Sequence, residues 1–157
     1  MEKQNNISLG NAGEYFVAGI LEMKGFTCAV PMSGTEDFDI LAINRETRKH
    51  FSIQVKTTSH KKNEWTLSEK NEKEDFKKDD VFYVFVNLYN HEKENVLSDI
   101  QPEYHIVPGK IVAKEIAEEH QKWMNTPGRN GQDHNDNKMR KFRDEEDRYK
   151  NRWDLLN

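Results

Sequence analysis

The sequence predicts an α/β domain: a mixed central β-sheet flanked by helices. Three observations carry this. Helical spacing in a first stretch gives way to short runs with strand alternation. A near-continuous apolar run, VFYVFVNL over 81–88, has the composition of a central strand covered on both faces. A second helical stretch then follows Pro108. At 157 residues the chain fits one domain with a core of its own.

Each element has a local reason. Over 7–24 (ISLGNAGEYFVAGILEMK), Leu9, Gly13, Phe16, Val17, Ile20 and Leu21 follow the 3, 4 spacing of one helix face. Asn6 or Ser8 can cap its start, and Gly25 stops it. Gly10 and Gly13 are poor helix formers, so close backbone approach is their expected gain. Strands are expected at 26–31 and 38–44, with a turn over 32–37 between them. The third strand, 50–57 (HFSIQVKT), alternates cleanly: Phe51, Ile53 and Val55 on one face, Ser52, Gln54 and Lys56 on the other. Residues 58–80 are highly charged, interrupted by Trp65 and Leu67 as a short strand or docked turn. A strand at 104–107 and a helix over 109–124 follow. Residues 125–138 hold no large apolar side chain and read as a loop, and 144–155 read as a helix docking through Tyr149 and Trp153.

Composition excludes several functions. Hydrophobic and charged residues stand at 34% and 33%, and mean hydropathy is −1.02. No apolar run approaches the roughly 20 residues of a membrane span. The polar N-terminus gives no sign of a secretory signal. The single cysteine, Cys28, excludes an intrachain disulfide and a Cys-rich zinc site and points to the cytoplasm. Its neighbours Thr27 and Ala29 bring no activating charge, so it reads as a small buried residue. The net charge of −4 argues against a groove-coating nucleic-acid binder, although a few lysines suffice for an enzyme to grip a phosphate backbone. No G-x-x-x-x-G-K-[ST] phosphate loop is present, which argues against nucleotide use.

Chemistry concentrates in four residues. Asp39 stands in a strand-like run, FDILAI, where a carboxylate opposes propensity. Gln54 and Lys56, two apart, project from one strand face. Glu14 lies at the border of the first helix's apolar face. A carboxylate and an amide oxygen suit a hard cation such as Mg²⁺. Such a cation polarises a phosphoryl oxygen and activates water, and an adjacent lysine offsets developing charge.

These residues carry a resemblance. G-x-x-G-E (Gly10 to Glu14), D-I-L-A (Asp39 to Ala42) and Q-V-K (Gln54 to Lys56) together resemble the PD-(D/E)xK nuclease superfamily. The likeness is nearest to variants with Gln before x-Lys, as in restriction enzymes acting on methylated DNA. Archaeal Holliday-junction resolvases have a similar order. The resemblance covers about residues 7–88, and 89–157 match no functional motif.

It implies a restriction-endonuclease-like core over about 7–121, with a C-terminal loop and helical extension over 122–157 in a single domain 1–157. It implies that Asp39, Gln54 and the Val55 carbonyl bind Mg²⁺ or Mn²⁺, that Lys56 is catalytic, and that Glu14 supports the site. The substrate implied is DNA, and a homodimer or a protein partner is compatible. Two departures stand out: Phe38 replaces Pro before Asp39, and Gln54 is neutral. A fold retained only for binding nucleic acid or a protein is the alternative.

Other charged residues have plainer readings. Lys61 and Lys62 are phosphate-contact candidates, as are Arg140 and Lys141 in the basic run 138–143. Lys77 and Lys78 could also contact phosphates, but with Lys61 and Lys62 they are interleaved with Glu64, Glu69, Glu72, Glu74 and Asp75, and a solvated charged face explains them at least as well. His134, with Asp133 and Asp136, matches no strong ligand spacing. Glu36 and Asp37 are explained by a turn. Trp65, Trp123 and Trp153 read as core anchors.

Overall fold

The computed structural model describes residues 6–32, 38–89 and 101–157. The turn expected over 32–37, with Glu36 and Asp37, falls outside the described residues from position 33 on.

Helix α1 (Asn6–Met23) leads into β1 (Phe26–Ala29), β2 (Ile40–Asn44) and β3 (His50–Thr58). Gly25, at φ 92, supplies the left-handed residue that ends α1 and turns the chain into β1. Strand β4 (Glu64–Ser68) and two single-turn helices lead to β5 (Val81–Asn87), β6 (Glu103–Pro108), α2 (Gly109–Met124) and β7 (Met139–Arg143). The sheet order is β1-β2-β3-β5-β6, with β4 and β7 forming a separate two-stranded ribbon. β3 and β5 are parallel and the other pairs antiparallel. The fold is therefore α/β, with a five-stranded mixed sheet between helices.

Two cores flank the sheet. On one face Val17 and Leu21 of α1 pack against Ile40, Ile53, Val55, Val84 and Ile106. On the other, Val112 and Ile116 of α2 join Tyr83, Phe85 and Val107, together with Trp65, Leu67 and Phe142 of the ribbon. β5 is buried at every residue because both cores use it.

Three expectations need correction. The apolar stripe of α1 is narrower than its composition suggests: Gly13, Val17 and Leu21, four apart, are buried, while Phe16 is 40% exposed. The helix expected over 144–155 is absent. β7, paired with β4, ends at Arg143, and within 144–155 only turns, a bridge at Lys150 and a single helical turn at Trp153–Leu155 follow. Residues 149–151 run beside β6: Ile106 N donates to Tyr149 O and Asn151 N to Tyr104 O, which covers the sheet edge. Helical spacing of Tyr149 and Trp153 was misleading because each docks on a different core, Tyr149 beside the ribbon and Trp153 beside Tyr104. Trp123, finally, is not a core anchor. It is 36% exposed and stacks between His120 and His134.

Candidate functional site

The site is built where β2 leaves β3. Their pairing runs to Ile40 opposite Ile53, and Asp39 N still donates to Ile53 O at 2.9 Å. Beyond that point β3 continues to Thr58 with β5 alone beside it. The Asp39 carboxylate takes over the vacated ladder position: its Oδ2 accepts from Val55 N at 2.7 Å. A residue's N–H and C=O leave a strand on the same edge, so the Val55 carbonyl also points into this fork.

Alternation assigns the faces. Ile40, Ile53 and Val55 belong to the core under α1. Gln54 and Lys56 therefore face the other side, in register with Tyr83 and Phe85 of β5. Asp39 precedes Ile40, and its charge reaches Tyr83, whose hydroxyl burial pushes far above the usual range. Gln54 is buried at 6% exposure, and Lys56 is half-buried.

Glu14 reaches the fork from α1. Burial raises its pKa, Asp39 raises it further, and Lys56 pulls it back. The charges of Asp39 and Lys56 are thus both felt at Glu14. The donor set is oxygen throughout: carboxylates of Asp39 and Glu14, the Gln54 amide and the Val55 carbonyl. That set suits a hard divalent cation.

The helix sits this close because of Gly13. A β-carbon there would fall 1.9 Å from Thr57 Oγ1. Gly10 faces open space, so the close approach expected of both glycines belongs to Gly13 alone.

The basic candidates divide. Lys61 and Lys62 are exposed and line an open cleft of about 420 Å³ with Asp147 and Lys150. Arg140 is 8% exposed, pairs with Glu72, and donates to the carbonyls of Asn137 and Met139. Lys141 donates to Glu64 at 2.7 Å, and Arg143 pairs with Glu64 and Glu119. The densest basic run thus makes ion pairs with Glu64, Glu69, Glu72 and Glu119. β7 alternates inward and outward, and acids meet both sides of it. Lys77 and Lys78 pair with Glu74 and Asp75. The Cys28 thiol is pushed up to about 11 by burial and so stays protonated at neutral pH.

A second polar cluster escaped the sequence reading. Glu103, His105 and Asp147 bring one ligand atom each within 4.8 Å of one another. Lys150 Nζ lies 3.1 Å from Glu103 and 3.5 Å from Asp147. His105 is fully buried, and its Nδ1 lies 2.7 Å from Asp144 Oδ2. The available signal was a histidine inside the otherwise apolar YHIV of β6. No helix among the described residues is long and apolar enough to cross a membrane.

The sequence matches no protein-family model. No curated protein matches it either. Among solved structures, that of a bacterial homing endonuclease, I-Ssp6803I, is similar, with a TM-score of 0.53 at 13% identity. The alignment covers 98% of this chain and 92% of that one. At that identity the likeness is one of fold.

Proposed function

We propose that this chain is a metal-dependent nuclease-like protein of the PD-(D/E)xK type, in its Gln-bearing form, that hydrolyses DNA phosphodiester bonds in the cytoplasm. The observation that carries the reading is the Asp39 carboxylate bound to Val55 N–H where β2 leaves β3, between Gln54 and Lys56 on the strand and with its charge felt by Glu14 of α1. The fold it shares with a homing endonuclease supports it.

Each residue has a physical task. Asp39 is held in place by the Val55 N–H, which fixes one oxygen and leaves the carboxylate aimed at the fork. Gln54 offers an amide from a buried position on the same strand face as Lys56. The Val55 carbonyl completes an oxygen-rich edge. Mg²⁺ or Mn²⁺, when bound there, neutralises phosphate charge and makes a water more acidic. Lys56 donates to the phosphoryl oxygen or orients the attacking water, in a partly dry site where a fixed ammonium counts for most. Glu14 places a second negative charge beside Asp39 and draws a cation in. Lys61 and Lys62, exposed just past the end of β3, are the lysines offered to a phosphate backbone, although Glu103, Glu145 and Asp147 line the same cleft.

The test is a cleavage panel of single-stranded, duplex, methylated and branched DNA, with Mg²⁺ or Mn²⁺ against EDTA. Cleavage by the wild type that Lys56→Ala and Asp39→Ala both lose is the expected result. Mn²⁺ binding by calorimetry should survive Lys56→Ala and fail in Asp39→Ala. A wild type that cuts nothing and binds no metal would sink the reading. The neutral Gln54 and the net charge of −4 favour one alternative, a binding module that keeps the fold without catalysis. That alternative predicts DNA affinity indifferent to Lys56→Ala and to EDTA.

A further inference from the structure

We propose that the contact between Gly13 and Thr57 is a spacing device for the metal-binding fork, with both as positioning residues that set how far Glu14 stands from Asp39 and Lys56. This rests on the metal-site reading above. Gly13 immediately precedes Glu14, and Thr57 immediately follows Lys56. The contact thus joins the two chain segments whose separation matters, one residue away from each functional group.

The contact is tight and stiff. A β-carbon on Gly13 would lie 1.9 Å from Thr57 Oγ1, 3.1 Å from its Cβ and 3.2 Å from its Cγ2. No side chain fits there unless Thr57, α1 or β3 shifts. Thr57 is β-branched, with few rotamers to retreat into. Its Oγ1 is buried and has no hydrogen-bond partner. A hydroxyl buried unpaired is unfavourable for folding, so packing alone gives no reason for threonine here. As a short, stiff stop against the glycine it has one. Further along α1, Val17 and Leu21 hold the helix through ordinary apolar packing. The glycine end is where the helix comes closest to the strand and where Glu14 sits.

Mn²⁺ alone is the probe, titrated calorimetrically into wild type, Gly13→Ala, Thr57→Ala, the double variant and Gly10→Ala, with thermal unfolding of each. Gly13→Ala should weaken Mn²⁺ binding about 10- to 100-fold, the usual cost of disturbing groups that orient metal ligands. Thr57→Ala should weaken it less, since the stop is removed without pushing the helix away. The double variant should recover most of the affinity, because only the 3.1 Å contact with Cβ then remains. Gly10→Ala, facing open space, should bind as wild type. If Gly13→Ala does not fold, recovery of both folding and Mn²⁺ affinity in the double variant still supports the device. Gly13→Ala binding Mn²⁺ as wild type does would overturn it. So would a folded double variant that binds no better than Gly13→Ala, or a Thr57→Ala that loses thermal stability with Mn²⁺ affinity intact. Wild type that binds no Mn²⁺ removes the metal site itself, and the spacing device with it, an outcome distinguished by needing no variant at all.

Discussion

Two polar clusters sit at separate places on the sheet and behave in opposite ways. At the fork, burial and the charge of Asp39 raise the pKa of Glu14, and Lys56 pulls it back only in part. At the far edge, attraction dominates. Asp144 is fully buried, yet its pKa is lowered, because His105 and the backbone N–H groups of Tyr149 and Arg148 outweigh burial. Lys150 has its pKa raised by Glu103 and Asp147. Like charges meet at the fork, whereas attraction dominates at the far edge, where the buried His105 Nε2 is nonetheless left without a hydrogen-bond partner. Glu103 and Asp147 share Lys150, which ties the C-terminal segment to β6, and with His105 they also have the spacing of a metal site.

The largest effect that separates the clusters is on chemistry. Lys56→Ala should lower cleavage about 100- to 1,000-fold, the usual cost of removing one donor that meets developing charge, and thermal unfolding should be almost unmoved. Lys150→Met should do the reverse, leaving Mn²⁺ binding and cleavage intact. A loss of Mn²⁺ sites in Lys150→Met would show that the far cluster had been misread.

Next in size is stability. Asp144→Ala leaves buried His105 and two backbone donors without their acceptor, and should cost about 3–5 kcal/mol, as when one partner of a buried pair is removed. Denaturant unfolding measures it. The sign with pH follows from a lowered carboxylate pKa. The stabilisation is present above the ordinary value of 3.8 and is lost as pH falls through the folded value below it. Loss of stability on acidification should therefore be less steep in Asp144→Ala than in wild type.

Gln54→Glu should act on a smaller scale. It adds a negative charge to the oxygen donors at constant length, so Mn²⁺ affinity should rise about tenfold, the order expected for tuning a metal's ligands. Weaker binding would mean that Gln54 faces the wrong way to be a ligand.

These contrasts explain which parts were legible in the sequence. β3 and β5 were, because alternation and a continuous apolar run are local records of one covered face and of two. Asp39, Gln54 and Lys56 stood out because each is polar where its strand is apolar. The far cluster left only His105 as a trace, since Asp144, Asp147 and Lys150 arrive from a segment whose spacing imitates a helix. β7 was hidden in MRKFR, where Arg140 and Phe142 point inward and a buried arginine reads as a surface charge until Glu72 is found beside it. Gly13 looked like Gly10 in the sequence, and only the position of Thr57 tells them apart.

The smallest expected effect is the most diagnostic of the fork. Glu14 has a folded pKa above its ordinary 4.5, so its ionisation opposes folding. Below 4.5 the group is protonated in both states and contributes nothing. As pH rises through that value the unfolded chain ionises more readily than the folded one, and stability is lost until the folded pKa is passed. Glu14→Gln removes that loss, so above this window it should be slightly more stable than wild type, by less than about 1 kcal/mol given the partial exposure of the site. Below pH 4 the two should coincide. Mn²⁺ reverses the order: the cation relieves the repulsion between Glu14 and Asp39 only where Glu14 is present, so saturating Mn²⁺ should raise the Tm of wild type more than that of Glu14→Gln. Equal metal-induced shifts would place Glu14 outside the cation's reach and reduce the fork to Asp39, Gln54 and Lys56.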